Sequence, residues 1–149
     1  MSKQGKAAAA SIYEVLASAT RELLETCTAD GEAKPTEESL RELFDAMRAA
    51  SPDECAAIAE WFDKRLAHSS VDVKVKAILL MNDVARLGHE QLHTALQRTC
   101  VKTLEQLKSF KGKPHPIHGE LPNTMVRNRS AKLAATLQVC ASALLCLCV

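Results

Sequence analysis

The sequence predicts an all-α protein, and three observations support this fold class. Turn-forming residues are scarce, with five glycines and five prolines among 149 residues. Hydrophobic residues recur at steps of three and four along six segments, which is the spacing of one face of an α-helix. The composition, with 47% hydrophobic and 25% charged residues, is typical of a globular chain with one buried core. We therefore expect one helical domain over residues 10–149, after a flexible N-terminus at residues 1–9.

Amphipathic patterns and helix-start signals predict the first three helices. Residues 9–28 place an apolar stripe on one helical face, and Pro35 lies in the break that follows. Residues 37–49 repeat the pattern. Ser51 and Glu54 flank a Pro-Asp pair, an arrangement that favours a capping box at the start of the third helix.

Apolar spacing also predicts three further helices. Residues 71–87 are apolar in nearly every direction, which indicates a helix surrounded by other helices. Gly88 is placed to end that helix, and an amphipathic segment follows at residues 89–110. A loop with three prolines occupies residues 111–123, and we expect Asn123 to cap the last helix. The mostly short connections predict stacked neighbouring helices.

The formal net charge of +1 hides an uneven distribution of charge along the chain. Residues 1–63, the acidic half, hold 6 basic and 13 acidic side chains, a net charge of −7. Residues 64–149, the basic half, hold 13 basic and 5 acidic side chains, a net charge of +8. The halves either attract each other or present solvated faces, or the basic half recognises an acidic partner or an anionic lipid. The small net charge and the 3% aromatic content argue against a nucleic-acid partner.

The six cysteines indicate a reducing compartment. They show no CxxC pair and no regular spacing, and most fall on apolar helical faces, so we expect buried reduced thiols in a cytoplasmic protein. No apolar run reaches the ~20 residues that a membrane span needs. The last four residues, Cys146–Val149, fit a prenylation motif, but we interpret them as part of an apolar helix end. The cysteines are Cys27, Cys55, Cys100, Cys140, Cys146 and Cys148.

One motif that could carry chemistry is His89–His93, which reads HExxH. Histidines at this spacing share a helical face and can ligate zinc, with the glutamate as general base. The motif lies at a predicted helix start and has no recognisable third ligand, so we interpret His89 and His93 as half-exposed helical histidines. His115 and His118 form a second, weaker candidate pair. No phosphate-binding loop or nucleophile elbow occurs, so we expect no enzymatic activity, no metal and no cofactor.

Two regions of the chain resemble the ENTH/VHS superfamily of membrane-trafficking domains. Trp61–Ser70, followed by Val73–Leu80, is similar to the pattern that bridges two central helices in that superfamily. Phe110–Gly119, followed by Val126 and Arg127, looks like the proline-glycine loop signature of tepsin-like ENTH domains. The resemblance implies a right-handed α-solenoid of six to eight helices that acts as an accessory or adaptor domain at coated vesicles, at trans-Golgi or endosomal membranes.

The resemblance also implies two candidate sites. Arg65, and more loosely Lys74, match headgroup-contacting positions of epsin-type members. Residues 1–10 offer two lysines and four alanines but no bulky apolar wedge, so we expect at most weak contact with an anionic membrane. The first site is a basic partner or headgroup face of Lys64, Arg65, Lys74 and Lys76. The second is a recognition loop of Pro114, His115, Pro116, His118 and Gly119, together with Arg127.

Four functions follow from these observations. The leading hypothesis is a non-enzymatic trafficking adaptor that binds adaptor or coat proteins through its helix faces and proline loop. The alternatives are a phosphoinositide-binding domain, a nuclear reader of the phosphorylated RNA polymerase II tail within the same superfamily, and a zinc hydrolase.

We expect charge reversal on the basic face to weaken partner binding if that face is used. The variants are a double reversal at Lys64 and Arg65 and a second at Lys74 and Lys76, each measured by affinity for a trafficking protein. Unchanged binding in both variants would contradict the hypothesis of a basic recognition face.

Overall fold

The computed structural model describes residues 15–31 and 33–139, and the regular elements within these ranges are helices, which confirms the all-α class. The predicted flexible segment at residues 1–9 and the C-terminal residues 140–149, with Cys140, Cys146 and Cys148, lie outside the described residues. No helix of the described part is long and apolar enough to cross a bilayer. The helices are α1 (Ser18–Cys27), α2 (Glu37–Arg48), α3 (Pro52–Leu66), α4 (Val71–Val84), α5 (Glu90–Leu107) and α6 (Leu121–Gln138).

The helices stack around one hydrophobic core in a solenoid-like arrangement. Helix α1 packs on α2, α3 packs on α4 and α5, and α6 packs on both α4 and α5. Every helix contributes buried side chains to the same cluster, so the described residues form one cooperative unit. The largest fully buried side chains include Phe62, Leu66, Ile78, Met81, Leu104 and Leu133.

The predicted capping box at the start of α3 is confirmed. The Ser51 hydroxyl accepts a hydrogen bond from the Glu54 amide at 3.3 Å, and the Glu54 carboxylate accepts one from the Ser51 amide at 3.1 Å. The predicted stop of α4 at Gly88 is wrong, because Ala85 is the C-cap of the helix and Gly88, with a φ of +81°, lies in the connection that follows. Regular α4 ends at Val84, earlier than the sequence pattern predicts, and a turn connects it to Gly88.

The predicted start of the last helix is wrong. Helix α6 begins at Leu121, and Asn123 is its third residue rather than its cap. The Asn123 side chain is only 1% exposed, and its amide donates to the carbonyl of Gly112 at 2.9 Å. A buried side-chain amide needs a hydrogen-bond partner, so this contact between the loop and α6 determines the position of the asparagine. The predicted first helix also differs, because Ala17 is extended and α1 begins at Ser18.

Helix α4 is not surrounded on all sides, contrary to the prediction. Ala77, Ile78 and Met81 are completely buried in the core. Leu79, in contrast, is 38% exposed, and Val75 is half-buried. One stripe of an otherwise buried helix therefore faces solvent.

Ion pairs do not join the acidic and basic halves within the described residues. The ion pairs there each connect two residues of the same helix, three positions apart, and all four side chains are largely exposed. Such surface pairs contribute little to stability. They are Arg48–Asp45 and Lys108–Glu105.

Hydrogen bonds, rather than ion pairs, connect α4 to the segment that follows α1. The donors are Lys76 of α4 and Ser70, the N-cap of that helix. The Lys76 ammonium donates to three backbone carbonyls of this segment at 2.6–2.7 Å. The Ser70 hydroxyl donates to the Asp30 carboxylate, which is the main reason why the pKa of Asp30 lies below its ordinary value. The loop between α1 and α2 is thus fixed against α4. The three carbonyls belong to Ala29, Gly31 and Ala33.

Replacement of the α3 cap should destabilise the whole domain. We expect Ser51→Ala to lower the free energy of unfolding by about 1 kcal/mol, because the Glu54 amide loses its acceptor. Urea unfolding followed by circular dichroism measures this change. The control is Ser69→Ala, at an exposed position that caps no helix, which should leave the unfolding midpoint unchanged. Equal midpoints for Ser51→Ala and the unmodified protein would contradict the role of the capping box.

Candidate functional site

Lys74, one of the four predicted basic-face residues, is buried. Its side chain is 7% exposed, and its ammonium donates to the carbonyl of Leu66 at 2.7 Å. The same ammonium lies 5.4 Å from the centre of the Phe110 ring. Burial lowers the pKa of Lys74 below its ordinary value, because the charged form loses contact with water. Lys74 therefore joins the end of α3 to α4 and does not face solvent.

The four residues of the predicted basic face form two pairs with different surroundings, one on α4 and one on α3. Lys76 uses all three of its ammonium hydrogens on the α1–α2 loop. Lys64 is exposed on α3, and the half-buried Arg65 lies with its guanidinium 4.8 Å from the centre of the Trp61 ring. The prediction of one solvent-facing set of four residues is wrong, because the two lysines of α4 reach backbone carbonyls. A binding role for Lys64 and Arg65 stays a prediction.

The predicted recognition loop is an ordered turn built around His115. His115 and Gly119 exchange two backbone hydrogen bonds of 2.7 and 2.9 Å, and Gly119 has a φ of +60°, which a residue without a Cβ adopts readily. The Nδ1 atom of His115 accepts hydrogen bonds from the amides of Ile117 and His118, both at 3.0 Å. The rings of His115 and His118 lie 4.7 Å apart. One histidine thus fixes the backbone of the turn and the position of the other.

Two side chains of α6 anchor this loop. The Asn123 amide donates to Gly112, and a Cβ at Gly112 would lie 2.8 Å from the Asn123 oxygen, so only glycine fits there. The Arg127 guanidinium donates to the carbonyl of Phe110 at 2.9 Å and to the hydroxyl of Thr124 at 3.0 Å. Arg127, predicted as a recognition residue, therefore supports the loop from behind.

The outer part of the loop faces solvent. Pro114, Pro116 and His118 are exposed, and Ile117 is 80% exposed. Proline restricts the backbone, so these side chains are presented with little conformational freedom. The loop therefore presents a rigid, solvent-exposed surface.

A groove of about 730 Å³ lies beside the loop, and we call it the α4 groove. Its floor is the solvent-facing stripe of α4, one wall is the loop between α1 and α2, and the other is the proline loop with the start of α6. His115 and His118 both line it, so the structure brings two predicted recognition residues to this site. Its apolar lining includes Leu40, Val75, Leu79, Leu80, Pro122 and Met125.

Two carboxylates of α4 lie along the groove and were missed by the sequence analysis. Asp72 and Asp83 each line it, and neither forms a hydrogen bond or ion pair with a described residue. Partial burial raises the pKa of Asp83, an effect that the nearby Arg86 opposes. Their positions on α4, on either side of Leu79, are the sequence signal that could have identified an uncovered edge of this helix.

Comparison with known proteins identifies the fold. No known protein-family profile and no curated protein sequence matches the chain. An ENTH-VHS domain from Arabidopsis thaliana, solved by NMR, superposes with a TM-score of 0.74 at 22% identity, over 83% of this chain and 87% of that one. A second NMR structure of that domain gives a TM-score of 0.71 at 24% identity, over 80% and 84% of the two chains. The chain has the ENTH-VHS fold.

A third similar structure is that of an endocytic adaptor complex. The structure of an endocytic adaptor complex, AENTH, superposes with a TM-score of 0.66 at 22% identity, over 92% of this chain and 90% of that one. At these identities the likeness establishes the ENTH-VHS fold of the chain, including the solenoid-like stacking of its helices.

Within this ENTH-VHS fold, the HExxH histidines bind backbone carbonyls. His89 caps α5 by accepting the Leu92 amide on Nδ1, and its Nε2 donates to the carbonyl of Ala50 at 2.9 Å. His93 is only 3% exposed, and its Nε2 donates to the carbonyl of Val139 at 2.7 Å. The prediction that both are half-exposed is wrong for His93. Both Nε2 atoms join helix ends, so they are not presented to a shared ligand.

The described cysteines confirm the prediction of buried thiols. Cys27, Cys55 and Cys100 are free and buried, and burial is the main cause that raises the pKa of each thiol. A thiol with a raised pKa is a poor nucleophile and metal ligand. Residues 15–31 and 33–139 contain no group of three His, Cys, Asp or Glu side chains arranged to hold a metal ion.

Charge reversal at Lys74 should lower the stability of the fold rather than alter a binding surface. We expect Lys74→Glu to lower the free energy of unfolding by about 3 kcal/mol or more, because it places a carboxylate against the Leu66 carbonyl. Thermal unfolding by circular dichroism measures the change. The matched control is Lys102→Glu at an exposed position of α5, which should unfold near the unmodified midpoint. A Lys74→Glu protein as stable as this control would contradict the burial of Lys74.

Proposed function

We propose that the chain is a non-enzymatic adaptor or accessory domain of vesicle trafficking that binds a protein partner in the α4 groove. The observation that carries this proposal is the groove itself, an open apolar surface along α4 beside the recognition loop. The ENTH-VHS fold supports the trafficking role, since one of the similar structures is an endocytic adaptor complex.

The groove suits a protein segment. Its lining is mainly apolar, its volume of about 730 Å³ lies in the range of ligand-binding clefts, and it opens along the length of a helix. Exposed apolar side chains on one helix stripe are a feature of helix-binding grooves. Pro114, Pro116, His115 and His118 would contact the partner at the rim, because the loop presents them beside the groove.

A tepsin-like role at trans-Golgi or endosomal vesicles, on the cytoplasmic side, is the more specific form of the proposal. Its support is the loop signature at Phe110–Gly119 together with Arg127, whose hydrogen bond to Phe110 gives the loop a defined place. Lys64 and Arg65 are the residues of the basic face that remain at the surface for a peripheral contact with anionic membrane. Such contact would be secondary, since Lys74 and Lys76 are engaged elsewhere.

Isolation of the tagged chain from cells tests this function. We expect identified adaptor or coat components to co-purify with the chain, and the chain to overlap with a coated-vesicle marker in fluorescence images. The Leu79→Ser variant should lose these components, because it places a polar group on the groove floor. Sedimentation with phosphoinositide vesicles is measured in parallel to test the lipid-binding alternative.

Three outcomes would contradict the proposed function. Nuclear localisation with recovery of the phosphorylated RNA polymerase II tail would favour the nuclear reader. Strong sedimentation with phosphoinositide vesicles and no coat component would favour the lipid-binding alternative. Recovery of the same coat components by Leu79→Ser would separate the trafficking function from the α4 groove.

A further inference from the structure

The solvent-facing stripe of α4 has a regular pattern. Asp72, Val75, Leu79 and Asp83 follow each other at steps of three and four, so they lie along one face of the helix, and all four line the α4 groove. The two carboxylates are separated by eleven residues of helix, which is about 16 Å. The stripe therefore has an apolar centre and an acidic residue near each end.

The α4 groove is lined by two lysines and two aspartates, so these charges balance, but they differ in how far their hydrogen-bonding groups are already used. Lys76 lines the groove, but its three ammonium hydrogens are used by backbone carbonyls. Lys34 is the remaining lysine of the lining and is exposed on the α1–α2 loop. Asp72 and Asp83, in contrast, form no hydrogen bond or ion pair with a described residue. A ligand that lies along α4 therefore meets an apolar floor and two carboxylates whose oxygens accept no hydrogen bond from a described residue.

We propose that the α4 groove binds a helical segment of a partner protein in which leucine-sized side chains lie between two basic residues. This inference rests on the proposed adaptor function and specifies the chemistry of its partner. The apolar side chains would cover Leu79 and Val75, and the basic side chains would pair with Asp72 and Asp83. A helix matches these positions because residues at steps of three and four on its own surface have the same spacing as those of α4.

The electrostatic environment of Asp83 agrees with a cationic partner. The pKa of this carboxyl is raised because it has lost part of its hydration, and Arg86 offsets only some of this effect. A second cation near Asp83 would stabilise the charged carboxylate further. On the opposite wall, the His115 Nδ1 atom accepts hydrogen bonds from two amides.

Direct binding of designed peptides tests the inference. The probe is a fluorescent, alanine-rich helical peptide with two lysines at the separation of Asp72 and Asp83 and with leucines between them at steps of three and four. In one matched peptide glutamates replace the lysines, and in the other serines replace the leucines. We expect the lysine–leucine peptide to bind and both matched peptides to bind at least about tenfold more weakly, as measured by fluorescence anisotropy.

Variants of the protein locate the site. We expect Leu79→Ser to weaken binding of the lysine–leucine peptide by about tenfold. The double variant Asp72→Lys, Asp83→Lys should lose this peptide and gain the glutamate peptide. Two controls at exposed positions outside the lining are the double variant Glu22→Lys, Glu60→Lys, which makes the same change in net charge, and Leu121→Ser, which makes the same change in hydrophobicity; both should bind the peptide as the unmodified protein does. Circular dichroism and unfolding midpoints of all variants show that they fold.

Four outcomes would overturn the inference. The lysine–leucine peptide does not bind the unmodified protein, or the glutamate peptide binds it equally well or better. The folded groove variants and the controls bind the peptide equally. Sedimentation shows a dimer that Leu79→Ser dissociates and that the peptide does not compete with, in which case a second copy occupies the groove.

The test is independent of the test of the proposed function. If coat components co-purify through Leu79 but none of the peptides binds, the adaptor function stands and the stated chemistry of the partner is wrong. If the lysine–leucine peptide binds at the groove but no coat component is recovered, the groove chemistry stands and the trafficking function is wrong.

Discussion

Helix α4 constrains how its neighbours pack, because its side chains are apolar in nearly every direction and most of them have to be covered. Helices α3 and α6 pack on it and bury residues such as Ile78 and Met81. A charged residue among them, Lys74, is tolerated because its ammonium reaches the carbonyl of Leu66 and thus keeps a hydrogen bond after burial. The helices of the described residues leave one stripe around Leu79 uncovered, and that stripe becomes the floor of the groove.

The second lysine of α4 determines the shape of that groove. Lys76 holds the loop after α1 through three carbonyl hydrogen bonds, so the loop forms a wall over the same helix face. The interaction satisfies carbonyls just beyond the C-terminal end of α1, where the helix dipole also favours a cation. Lys76, which the sequence pattern assigns to a recognition surface, therefore holds one wall of the groove in place. The carboxylates Asp72 and Asp83 and the exposed ammonium of Lys34 are the charged groups of the lining that form no hydrogen bond with a described residue.

Local signals predicted the fold well, whereas long-range contacts decided the site. The capping box of Ser51 depends on residues close in sequence, and apolar spacing alone predicts the all-α class. Asn123, Lys74 and His93 differ from their predicted roles because each binds a backbone carbonyl distant in sequence. A sequence pattern shows the face on which a side chain lies but not which carbonyl comes within its reach. A sequence pattern likewise does not show that one stripe of α4 stays uncovered, because this depends on how the neighbouring helices pack.

Rigidity of the groove walls bears on how a partner would be recognised. The proline loop is ordered before any partner binds, because His115 accepts two amides of its own turn and Asn123 and Arg127 hold its base. A preordered wall loses little conformational entropy on binding, so less of the interaction free energy is spent on ordering the loop. The affinity of the groove then depends mainly on the apolar area that a partner covers around Leu79. The charged residues at either end of the stripe select the orientation of the partner and the sign of the charges that it carries. Specificity and affinity thus arise from different residues of the same helix.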